Sequence, residues 1–123
     1  MRGWSRHAVA LMLTVVTHIS LDFPHGETRL VVRRDDTALL LYGALPRSQV
    51  VRRGTFDIDV VFQALQSRVH DVVPAERRPV GQAYGMVTFR FSDGSEQHHF
   101  IYDGAFAEAL FQRARANVVG TDP

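Results

Sequence analysis

"YGMVTFRFSDGSEQHHFIYDG", residues 84–104, alternates apolar and polar side chains on both sides of Asp93-Gly94, the pattern of two strands joined by a tight turn. A two-residue turn at Asp93-Gly94 sets Ser92 opposite Ser95, Phe89 opposite His98 and Thr88 opposite His99. Val87, Phe89, Phe91, His98, Phe100 and Tyr102 then share the core side, and His99 points the other way with Thr88, Arg90 and Gln97. Neighbouring residues of a strand project to opposite faces, so the paired imidazoles cannot close on one ion. On this count His98, beside two phenylalanines, is a partly buried histidine bonded to backbone, Glu96 or Tyr102, and His99 is solvated.

Outward from this hairpin, Leu11, Leu13, Val15, Thr17, Ile19, Leu21 and Phe23 take every second position and predict a first strand. The same region offers a second reading. Arg2 and Arg6 precede an apolar run from Ala8 to Val16, two of the three parts of a secretory signal, but no small-x-small cleavage pattern follows. The strand reading makes residues 1–11 an extension and leaves Met1 or Met12 as the start. The cytoplasm is then favoured, with export the alternative if residues 1–20 are a leader. The run is shorter than the ~20 residues of a spanning helix, so no membrane span is expected.

"ETRLVVRRDDTALLLYG" gives two strands about a turn at Asp35-Asp36, and "RSQVVRRG" gives a short edge strand with Arg52 and Arg53 in water. A helix follows Gly54. Phe56, Asp57 and Val61 fit the N′, N-cap and N4 positions, and Ile58, Val61, Phe62, Leu65, Val69 and Val72 form a stripe ending at Pro74. "PAERRPVGQ" reads as a surface connection. Asp103 caps a last helix with Phe106, Leu110, Ala114 and Val118 on one stripe before Gly120. The fold class is α+β: an antiparallel sheet of about five strands with two helices on one face, in the order β-β-β-β-α-β-β-α or with one fewer N-terminal strand. Residues 12–120 make a single domain and 121–123 a tail.

Composition restricts the chemistry. The chain has 123 residues, 46% hydrophobic and 22% charged, with a formal net charge of +1, which gives no whole-molecule attraction to polyanions. All fourteen basic residues are arginine, the bias of a GC-rich bacterial genome, which excludes lysine Schiff-base chemistry. There is no cysteine, hence no disulfide, thiolate nucleophile or thiolate metal site. His7, His18, His25 and His70 show no zinc-type spacing. Asp57 and Asp59 serve a helix start, no serine lies in a Gly-x-Ser-x-Gly setting, and "GQAYG" lacks the lysine and helix of a phosphate loop. No catalytic, cofactor or metal residue is assigned.

These observations point to a small non-enzymatic protein-interaction domain: an adaptor, inhibitor, immunity-type protein or oligomer subunit. Its candidate interface is an open sheet face carrying Arg29, Arg33, Met86, Thr88, Arg90, His99 and Ile101, for another protein or a second copy. The alternative is a small-ligand or enzymatic pocket between helices and sheet, with His98 as base, Tyr102 as donor and Asp103 beside them. A second alternative is weak nucleic-acid binding through the arginines, disfavoured by the interleaved acidic residues.

Overall fold

The computed structural model describes residues 14–23, 28–42, 48–77 and 81–121. In chain order these form β1 (Val16–Asp22), β2 (Thr28–Arg33), β3 (Ala38–Tyr42), β4 (Gln49–Val51), α1 (Ile58–Gln66), β5 (Val72–Pro74) and a 3₁₀ turn (Ala75–Arg77). β6 (Gly85–Phe91), β7 (Glu96–Ile101), α2 (Gly104–Ala116) and β8 (Val118–Thr121) complete the fold. The eight strands make one antiparallel sheet in the order β5-β7-β6-β1-β2-β3-β4-β8. The architecture is therefore α+β, with a larger sheet and a different order than the sequence suggests. The expected extension 1–11, Met12 and Arg78 lie outside the described residues.

The added strands come from stretches that continue a helical stripe. α1 starts where its signals say: the Asp57 carboxylate accepts from the amides of Asp59 and Val60 at 3.0 and 3.3 Å, and Phe56 and Val61 are both buried. It ends at Gln66 rather than near Pro74, leaving Val69 62% exposed. Val72-Val73-Pro74 pair instead with His99–Ile101, where β-branched side chains suit a pleated surface and Pro74 sits on an edge strand. The Asp71 carboxylate secures this junction by accepting from the Tyr102 and Asp103 amides. At the other end, Val118 leaves the α2 stripe to pair with Val51, so β8 covers β4 and β4 is not an edge.

Both helices pack on one face. Phe62 of α1 meets Phe89 and Phe91 edge-on at 4.9 and 5.9 Å, and Phe111 of α2 meets Phe23 and Tyr42 at 5.0 and 6.4 Å. Ile19, Leu21, Leu30, Val32, Leu40, Val87 and Phe89 are almost wholly buried beneath them. Each such side chain stabilises the fold by about 1.5–3 kcal/mol through the water it releases. Among the described residues no helix is long and apolar enough to cross a membrane.

Two local irregularities set which side chains face the helices. In β1, the register against β6 shifts between Val16 and His18, so Thr17 is an extra residue. The alternation expected over Val15, Thr17 and Ile19 breaks there, and Val16 is buried while Val15 is 36% exposed. In the β6–β7 hairpin the loop holds three residues, Ser92-Asp93-Gly94, because the Phe91 amide donates to the Ser95 carbonyl at 2.9 Å and Gly94 takes a φ of 88°. Phe89 therefore faces Gln97, Thr88 faces His98 and Val87 faces His99. That register differs by one residue from a two-residue turn, and one residue exchanges the faces of the whole strand.

Candidate functional site

The face of the sheet turned away from the helices carries three rows of side chains, fixed by the strand register. The first runs Val73, Phe100, Met86, Asp22, Arg29 and Leu41. The second runs His98, Thr88, Ser20, Val31, Leu39 and Val50, and the third runs Glu96, Arg90, His18 and Arg33. Val73, Phe100, Met86, Val31, Leu39, Leu41 and Val50 are each only partly covered, unlike their neighbours on the helix side. The face is thus apolar at both flanks, with a polar centre and one cationic end.

Charges on this face are largely paired within it. Arg29 Nε donates to Asp22 Oδ1 at 2.6 Å, and Arg90 Nε donates to Glu96 Oε2 at 3.0 Å. Thr88 Oγ1 and His98 Nδ1 lie 3.0 Å apart, and His98 Nε2 is 3.7 Å from Glu96 Oε1. His18 stands between Arg90 and Arg33 on adjacent strands. Partial burial, then the Arg90 and Arg33 charges, push its imidazole below the ordinary histidine range, with Asp35 opposing.

Of the residues expected at an open face, Arg29, Arg33, Met86, Thr88 and Arg90 are there. His99 and Ile101 are not. Ile101 is 2% exposed on the helix side, opposite Gly85, and His99 sits on that side with its ring edge-on to Phe89 at 5.3 Å. Burial holds the His99 imidazole below its ordinary range, and its buried Nδ1 has no hydrogen-bond partner among the described residues. His98 correspondingly leaves the core side and is exposed. The trio His98, Tyr102 and Asp103 is accordingly not assembled: His98 lies on the far face from the helices. Tyr102 follows the end of β7, and Asp103 caps α2 by accepting from the Ala105 amide at 3.0 Å.

Sequence reading missed Phe100, Val73, Val31 and Val50 as members of this face. A signal existed for β1, where His18, Ser20 and Asp22 alternate with Ile19 and Leu21. Elsewhere uniformly apolar runs such as "ALLLY" conceal which side chains are inside.

The helix side has one further polar cluster. Tyr84 donates to Glu108 Oε2 at 2.7 Å, and Gln112 donates to Glu108 Oε1 at 3.1 Å. Desolvation and the Glu108 contact push the Tyr84 phenol up to about 12, and the same hydrogen bonds hold Glu108 low. The Tyr84 ring lies so close to Gly104 that a Cβ there would stand 2.4 Å from it. This cluster fastens the first turns of α2 to the start of β6. Among the described residues no group of three or more His, Cys, Asp or Glu side chains is placed to hold a metal ion.

Compared with protein-family models, curated proteins and solved structures, the chain matches none.

Proposed function

We propose that this protein is a small interaction domain that binds another protein chain through the open face of its sheet. The observation that carries the reading is the two-sidedness of the sheet: one face is sealed by α1 and α2. The other leaves Phe100, Met86, Val73, Val31, Leu39, Leu41 and Val50 partly in water around a polar centre. Partly exposed apolar and aromatic side chains of this extent, mixed with arginine, have the composition of an interface core. An adaptor, inhibitor, immunity-type protein or oligomer subunit would each use such a face.

The test is affinity capture from the native host read by mass spectrometry, with Met86→Arg and Leu39→Arg as paired variants. They lie on opposite flanks of the face and should both remove the same captured protein. An identical captured set for wild type and both variants, with unchanged thermal melts, would overturn the reading. Ile101→Arg does not serve here, because a charge at that buried position unfolds the domain.

A further inference from the structure

We propose that Arg33, His18 and Arg90, with Ser20 beside them, form the carboxylate-reading end of the open face, and that the partner is a protein segment carrying acidic side chains next to apolar ones. The inference rests on the reading of this face as an interface and adds the chemistry of its occupant. Three observations support it.

First, the carboxylates around the row are already engaged. Asp22 holds Arg29, Glu96 holds Arg90, and Asp35 at the adjoining hairpin tip accepts from the Thr37 amide and hydroxyl at 3.1 and 2.5 Å. Arg33 makes no ion pair among the described residues and is half-buried, so its guanidinium is the cation with donors to spare. Second, Arg33 and Arg90 flank His18 on adjacent strands, spaced by about 5 Å per strand, which lets one carboxylate bridge two of the three. Third, beside the larger effect of its partial burial, the Arg90 and Arg33 charges both push the His18 imidazole down, so both guanidiniums act at the place where it stands.

The same facts separate the candidate occupants. On the described open face a second copy brings another Arg33 and only the paired carboxylates Asp22 and Glu96, so face-to-face self-docking sets cation against cation. A nucleic acid presents a run of phosphates, and among its described residues this face offers it Arg33 alone unpaired, since Arg90 and Arg29 already hold Glu96 and Asp22. An acidic segment satisfies Arg33 and lays its apolar residues along Val31 and Leu39, the neighbouring row.

The experiment uses the full chain, isotope-labelled, titrated with an acetylated peptide of alternating leucine and glutamate, with its glutamine counterpart, and with inorganic phosphate. The glutamate peptide should shift the amides of Ser20, Arg33 and Arg90 and raise the His18 titration midpoint, since a bound carboxylate favours the imidazolium. The glutamine peptide should bind about tenfold more weakly, and Arg33→Gln should erase that difference. Equal binding of the two peptides, absence of binding by either, or phosphate matching the peptide at the same residues would each overturn the proposal. Loss of the captured protein in Met86→Arg but not in Arg33→Gln would leave the interface standing and remove this proposal alone. Loss in neither would remove both.

Discussion

The hairpins β2–β3 and β6–β7 flank the central strand β1 and close on the same plan. In each the first strand's last amide donates to the carbonyl four residues on, Arg33 to Thr37 at 3.0 Å and Phe91 to Ser95 at 2.9 Å. In each an aspartate two residues before the hydroxyl residue accepts from its amide and hydroxyl, Asp35 from Thr37 and Asp93 from Ser95 at 2.9 and 2.6 Å. The third loop residue is left-handed in both, Asp36 at φ 70° and Gly94 at φ 88°. Even the outward contact repeats: the Arg34 amide donates to Thr17 O at 3.1 Å and the Ser92 amide to Val15 O at 2.8 Å, so the two tips grip the start of β1 from either side. The difference lies in what else they hold. Arg34 also donates to Val16 O at 2.8 Å and forks onto both Asp59 oxygens, joining the sheet to α1, whereas Ser92 adds only a bond to the Val15 amide. One loop ties layers together and the other ties strands.

The largest expected effect tests the three-residue loop itself. His99→Asp should cost about 2–4 kcal/mol by placing a carboxylate on the helix side, and His98→Asp less than about 0.5, measured by chemical denaturation. A two-residue loop reverses that order. Next, Gly94→Ala should destabilise by about 1–2 kcal/mol: nothing lies within 4 Å of the new methyl, so the cost is the left-handed backbone alone. Asp36→Gly should move the other way by a smaller amount, about 0.5–1 kcal/mol, because aspartate tolerates that conformation only partly. If both substitutions destabilise, Asp36 has a side-chain role absent from Gly94.

Acid separates the hairpins more gently. His99 binds a proton less readily folded than unfolded, so its contribution is whole above the ordinary midpoint of 6.5 and fades as pH falls below it. The β2–β3 hairpin holds no histidine of its own, and His18 on β1, lowered likewise, faces Arg33 and Arg90 alike, so its protonation bears on both hairpins and leaves His99 as the difference between them. Asp35 and Asp93 are both held below the usual 3.8, chiefly by the hydroxyls of Thr37 and Ser95, so both loops weaken together only below that pH. Hydrogen exchange resolved by residue would show β6–β7 opening first. His99→Phe should remove the early step.

Legibility in the sequence followed the range of the interaction that decides each feature. Asp57 and Asp103 are local caps, and both helix starts were readable from a few residues. Helix ends were not, because Val72 and Val118 satisfy a helical stripe and a strand equally well, and only the distant partners Ile101 and Val51 select the strand. At the candidate site, the back-to-back arrangement of His98 and His99 was readable from strand geometry alone. Which of them faces the helices depended on one loop residue, and that single count displaced His98, His99 and Ile101 together. The arginines fared better, since Arg29 and Arg33 keep their phase from the β2 alternation whatever the loop.

β1 precedes every other described strand along the chain yet sits fourth of eight across the sheet, and its partner β6 lies about seventy residues downstream. The nascent β1 must therefore wait, one edge unmatched, until β6 has been made. Chains built on such distant pairings search slowly, in milliseconds to seconds, and pass through aggregation-prone species.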